Sequence, residues 1–193
     1  MYLTHQRIFE YSGQLWLINS RKSGCFTPML KTMIEQVLVM LTHYKRVTLI
    51  RFDLHQPTNT PDSKRITQFN RRFKKKLIAK YGVNKVGFCW CREQEKAKAQ
   101  HYHFVVMLDG RVVQASWGIG LLVNEIWQQM GGTYWLPKRH YNLVRGERSE
   151  LSKAIYRVSY LAKGRGKGYR PPQSKDYGTS RLKPNVTNYP HFK

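Results

Sequence analysis

The chain has 193 residues, enough for one folded domain with short extensions, and 41% of them are hydrophobic, which excludes wholesale disorder. Lys and Arg number 34 against 11 Asp and Glu, and the resulting net charge of +23 favours a polyanionic partner, most commonly nucleic acid. The longest apolar stretches, such as Val37 to Leu41, are far too short to span a bilayer, and no apolar signal region opens the chain. The expectation is therefore a soluble, cytoplasmic protein with no membrane partner. Cys25, Cys89 and Cys91 lack the spacing of a four-ligand zinc site and read as reduced thiols.

Residues 1–27 have no firm period and are expected to form an N-terminal appendage. Thr27-Pro28 then has the form of a helix start, and Leu30, Met33, Ile34, Val37, Leu38 and Leu41 follow at helical spacing. Val47 to Leu54 is rich in strand formers. Thr60-Pro61 is a second helix start, leading into Ile66, Phe69, Phe73, Leu77 and Tyr81, with Gly82 as the stop. The other face of that helix carries Arg71, Arg72, Lys74, Lys75 and Lys76, which are candidate phosphate contacts. Two strands are expected at Val86–Glu93 and His101–Asp109, separated by a charged loop with Lys96 and Lys98. A helix over Trp117–Met130, a strand-like run Tyr134–Val144 interrupted by Pro137, and a last helix from Ser149 to Lys163 complete the domain. The order predicts an α+β fold with a central, mainly antiparallel sheet flanked by helices.

Chemistry concentrates at two places. Along a strand side chains alternate faces, so His101 and His103 share one face, about 7 Å apart, while Tyr102 takes the other. An antiparallel hairpin would bring Glu93 beside them, with Glu95 as a rival should the turn fall a residue or two later. Two imidazoles and one carboxylate leave coordination positions open for a phosphate oxygen, which suits Mg²⁺ or Mn²⁺. A His-x-His pair by itself is more often the mark of an edge strand without metal.

The second place is the last helix. At roughly 100° per residue, Leu151, Ile155, Val158 and Ala162 form one apolar stripe. Tyr156, Tyr160 and Lys163 fall between roughly 120° and 180° away, on a face that does not form the core. A phenol that attacks a phosphodiester must be reachable from outside, and its ordinary pKa near 10 calls for cations nearby. Lys163, one turn beyond Tyr160, is the candidate. Tyrosines that merely cap the core are the competing reading.

Arg51-Phe-Asp-Leu-His55, Trp90-Cys-Arg-Glu93, His101-Tyr-His103, Tyr160-Leu-Ala-Lys163 and Tyr177-Gly-Thr-Ser-Arg181, in that order, resemble the HUH endonucleases of two-tyrosine replication-initiator type. Among these they are most similar to the inovirus replication-protein-like family of filamentous phages and prophages. Relaxases place the tyrosine before the histidines and match less well. The resemblance runs from about Met29 to Leu182 and implies a nicking domain over residues 28–182 with a basic tail at 183–193. It implies a ferredoxin- or RRM-like palm with the metal at its middle and the tyrosine helix alongside. It further implies metal ligands Glu93, His101 and His103, nucleophiles Tyr160 and Tyr156, and an assisting Lys163. Arg51, Arg157 and Arg181 join the basic helix as candidate DNA contacts.

The expected activity is rolling-circle initiation: nicking and rejoining of single-stranded DNA at an origin hairpin through a 5′-phosphotyrosine, with a host helicase and polymerase supplied by others. A transposase of a mobile element and a non-catalytic DNA-binding regulator are the alternatives; terminal hairpins flanking the gene would favour the first. The charge alone sets one expectation. Affinity for single-stranded DNA should fall steeply with salt, the log–log slope being about −0.7 per phosphate contact. A binding constant that hardly changes between low and moderate salt, measured by fluorescence anisotropy, would contradict the electrostatic reading.

Overall fold

A computed structural model describes residues 2–94, 99–168 and 170–188. The first strands are short: β1 (Leu3–Thr4), β2 (Ile8–Tyr11), β3 (Gln14–Leu17) and β4 (Cys25–Phe26). Helix α1 (Thr27–His43) follows, with Pro28 in its first turn as the sequence predicts. The longest strand, β5 (Arg46–His55), leads to α2 (Lys64–Tyr81), then β6 (Gly87–Glu93) and β7 (His101–Asp109). Helix α3 (Trp117–Gln128), β8 (Thr133–Trp135), β9 (Tyr141–Val144), α4 (Ser149–Ser159) and β10 (Tyr177–Thr179) complete the named elements.

The architecture is α+β, as expected. Six strands form one sheet in the order β10-β6-β7-β5-β8, with β9 pairing the other half of β5. Every pairing in it is antiparallel. Strand alternation divides the sheet into two cores. On one face Leu49, Cys89, Val105 and Met107 meet α1 and α4 through Leu30, Ile34, Leu151, Ile155 and Val158. On the other, Phe52, Trp90, Phe104 and Val106 meet α2 and α3 through Phe69, Phe73, Ile119 and Trp127. At 25–30 cal/mol per Å² of apolar surface, such two-sided burial is the dominant force holding the layers together.

Several boundaries differ from the sequence expectation. Helix α2 starts at Lys64, not at Thr60-Pro61, because the Thr60 hydroxyl and backbone are engaged by the Gln100 amide. Pro137 separates β8 from β9 rather than interrupting one strand. The last α-helix ends at Ser159, and Tyr160–Ala162 tightens into a 3₁₀ turn. The N-terminal stretch is not an appendage in packing terms. Trp16, Ile18 and Cys25 are buried in the core beneath α1 and α4. The beginning of the basic tail docks on α1, where the Asn185 amide donates to the Thr42 hydroxyl at 2.8 Å. Residues 189–193 lie outside the described residues.

The aromatic core offers a direct test of the two-face division. Phe52 stacks on Phe104 at 4.8 Å and meets Phe69 and Phe73 edge-on. Phe52→Ala should lower unfolding free energy by about 3–5 kcal/mol in a urea titration. Because Phe52 faces away from the histidines, divalent-cation affinity of the folded variant should stay within about twofold of the parent.

Candidate metal centre and tyrosine site

The site grows out of strand register. Glu93 pairs directly with His101 across β6 and β7, and Cys91 pairs with His103. On the other side of β7, His101 pairs with His55 and His103 with Asp53. Directly paired residues share a face, so Glu93, His101, His103, Asp53, His55 and Arg51 all lie on the face that carries α1 and α4. Toward β5's start that face is filled by Val47 and Leu49; toward its end the same positions become Arg51, Asp53 and His55. The apolar layer thus gives way to a polar one without any break in the sheet.

The donor atoms of Glu93, His101 and His103 all lie within 4.8 Å of one another. Nε2 of His103 donates to Glu93 Oε2 at 2.6 Å, and Nε2 of His101 lies 3.6 Å from the same oxygen. Nδ1 of His103 donates to Asp53 Oδ1 at 2.7 Å, and Arg51 holds Asp53 from its other side at 2.9 Å. This carboxylate–imidazole link fixes which ring nitrogen faces the cation, as outer partners of metal-ligating histidines usually do. Two imidazole nitrogens and a carboxylate oxygen converging at the end of a sheet fit a divalent cation. Glu95, the rival ligand, lies outside the described residues, as do Lys96 and Lys98.

Electrostatics follow the contacts. Burial opposes charge on His103, but hydrogen bonds to Asp53 and Glu93 outweigh it and raise its pKa. Burial likewise opposes charge on Glu93, yet the two histidines hold its carboxyl well below the usual range. Asp53 is lowered in the same way by His103 and Arg51. Cys91, beneath the ligands, is pushed up to about 11 by burial and stays a neutral thiol. Gly166 closes the site from above. Its φ is +68°, and a Cβ there would fall 2.4 Å from Glu93 Cγ, so only glycine lets this loop cross the ligand.

Tyr160 stands at this centre. Its ring lies 5.3 Å from that of His103, with the Arg51 guanidinium 4.9 Å and the Lys163 ammonium 5.4 Å from the ring centroid. Burial and the nearby Glu93 raise its pKa, while Arg51 acts in the opposite sense. Tyr156 is elsewhere. It lines a cavity of about 370 Å³ with Leu17, Arg139, Tyr141, Lys153 and Arg157, none of them metal-ligand candidates. The helical wheel placed both phenols on one face, but they stand one helical turn apart along the axis and line different cavities.

The candidate DNA contacts also divide. Arg51 is buried and ion-paired rather than exposed to a ligand backbone. Arg71, Arg72, Lys74 and Lys75 are exposed on α2, which covers the face opposite the histidines, and Lys76 there pairs with Glu125. Arg157 is exposed beside Tyr141, and Arg181 lies past β10 at the far edge of the sheet. Sequence reasoning missed the support role of Asp53, although Arg51, Asp53 and His55 at alternate positions of an otherwise apolar strand were a signal for a polar patch.

The raised pKa of His103 has a signed consequence. A cation must displace its proton, so Mn²⁺ affinity should weaken as pH falls through the raised value, with a proton released on binding. Titration calorimetry in buffers of different ionisation enthalpy measures both; a pH-independent affinity without proton release would contradict this. The metal-free fold responds the other way. His103 pairing stabilises it fully below its unfolded value of 6.5 and is lost as pH rises through the raised one.

Among the described residues, no helix is long and apolar enough to cross a membrane. No curated protein and no solved structure matches the chain. The YagK/YfjJ C-terminal domain, by contrast, matches residues 12–180, which begin ahead of Trp16 and run through the whole site to the end of β10. The chain belongs to the YagK/YfjJ C-terminal domain family.

Proposed function

We propose that the protein is a metal-dependent endonuclease that nicks single-stranded DNA through Tyr160 and remains joined to the cut end. The observation that carries this reading is the position of the Tyr160 ring, 5.3 Å from His103 and on the wall of a pocket shared with Glu93. A core-capping tyrosine has no reason to stand over three convergent ligands, two of them buried. Glu93, His101 and His103 would hold Mg²⁺ or Mn²⁺, which supplies Lewis-acid polarisation of a phosphate oxygen.

The chain's own groups do the rest. Arg51 and Lys163 flank the phenol, and Arg51 opposes part of the burial that disfavours its ionisation. Tyr160 loses its proton to solvent and its oxygen bonds to phosphorus. The 3′ oxygen of the preceding nucleotide departs and is protonated to a 3′-OH, leaving a 5′-phosphotyrosine. The ester retains the energy of the broken bond, so attack by a 3′-OH reseals the strand. A primer end together with a resealable linkage suits rolling-circle initiation, with strand opening and synthesis left to a helicase and polymerase. Transposition uses the same step, and a DNA-binding regulator would use none of it. The separate cavity of Tyr156 favours a single nucleophile over an alternating pair.

Tyr160→Phe should abolish the covalent adduct with a labelled oligonucleotide in Mn²⁺, while Tyr156→Phe should form it at near-parental rate. His103→Ala should cut adduct formation by at least roughly a hundredfold. Denaturing gels with peptide mapping read all three. An adduct on Tyr156 would reverse the assignment, and adduct formation by Tyr160→Phe would refute it.

A further inference from the structure

Two features flank the triad on opposite sides, and the cleavage step uses neither Trp135 in the first nor Arg21 and Lys22 in the second. The first is Trp135, on edge strand β8. It pairs with Asp53 and therefore projects from the same face as the ligands. The Arg51 guanidinium lies 6.0 Å from its ring and 4.9 Å from that of Tyr160, so it sits between the two aromatics. Trp135 nevertheless remains 53% exposed, a large flat ring open to solvent beside a buried polar centre.

The second is a pocket of about 310 Å³ beyond Glu93, walled by Arg21, Lys22, Lys163 and Arg165 together with Tyr160 and Glu93. Arg21, Lys22 and Lys163 bring positive charge to its wall, and the carboxylate of Glu93, among the described residues that line it, is already bonded to His103. Two loops distant in sequence build the pocket. The Asn19 amide donates to the Ser159 hydroxyl at 2.8 Å, and the Gly164 amide to the Gly24 carbonyl at 3.2 Å. A Cβ at Gly164 would fall 2.6 Å from the Ser23 carbonyl oxygen, so this contact requires glycine. Lys22 is held at φ +70°, a conformation that its docked loop maintains.

Strands β6 and β8 are separated by β7 and β5, so the backbones of Glu93, at the pocket, and Trp135 stand roughly 14 Å apart at about 4.8 Å per strand. We propose that a single strand of DNA crosses the site with one base stacked on Trp135 and a phosphate further along seated among Arg21, Lys22, Lys163 and Arg165. His101 and His103 then lie between the two anchors, with Tyr160 and Glu93 on the near wall of the second. The identity of the polymer rests on the nicking reading above. A base inside a duplex has both faces covered by its neighbours, so the Trp135 anchor selects unpaired DNA without reading sequence. The pocket selects charge and geometry in the same sequence-independent way.

The test is equilibrium binding in EDTA, where cleavage plays no part, using an oligothymidylate of about fifteen nucleotides with one abasic site walked along it. At one position the abasic site should weaken parental binding about tenfold. Trp135→Ala should bind about tenfold weaker and lose sensitivity at that position, while Trp135→Phe should keep it. Arg21→Ala with Lys22→Ala should reduce the salt slope by about 1.4, two contacts' worth, and leave the abasic profile unchanged. An abasic profile identical in Trp135→Ala and parent, or an unaltered salt slope in the double variant, overturns the proposal. A protein that binds in this way yet never forms an adduct would fail the nicking reading and leave this one standing.

Discussion

His103 is gripped from both sides, by Asp53 at Nδ1 and Glu93 at Nε2, and the rest of the site depends on that grip. An imidazole and two carboxylates buried together would each be costly alone; arranged in line, they neutralise and hydrogen-bond one another. The line does not end there. Arg51 completes Asp53, and the same guanidinium approaches the Tyr160 ring, so the proposed nucleophile and the ligand set share one rigid support. The support costs the fold little extra organisation, because antiparallel register sets each member opposite its partner. A one-residue slip of β6 against β7 would turn Glu93 to the aromatic core and abolish the cluster.

How much of this could be read from the amino-acid order depended on the range of the interaction. His101 and His103 sharing a face, and Leu151, Ile155 and Val158 forming the buried stripe, are consequences of local periodicity and were legible. Glu93 was legible because a hairpin between adjacent strands leaves little choice of partner. The face covered by the basic helix was not legible, since the pattern of Ile66, Phe69 and Phe73 says that α2 is amphipathic but not which side of the sheet it takes. Nor was the fate of Tyr156, because the wheel gives its direction but not which cavity lies one turn back from Tyr160. Thr60 read as a cap because threonine before proline often is one; here a distant glutamine engages it first.

The distribution of charge and the chemistry are also less tightly joined than composition suggests. The cations of α2 stand behind the sheet from the triad and can attract a polyanion from a distance without touching the bond at issue. Those next to Tyr160 are fewer and come from two loops, the end of the tyrosine helix and, through Arg51, strand β5. Long-range attraction and local grip are thus assigned to different surfaces, and a substitution on one need not disturb the other.

The stitching of the N-terminal segment to the tyrosine helix has a consequence for the order of events as the chain is made. Cys25 bridges Lys163, and Asn19 meets Ser159, contacts 138 to 140 positions apart in the sequence and among the last that loop closure permits. A growing chain that has emerged as far as β7 can already pair Glu93 with the histidines. Strands β2 and β3 can pair with each other at once, but Trp16 and Asn19 meet the tyrosine helix only after it has been synthesised. The ligand set and the nucleophile are therefore completed at different times.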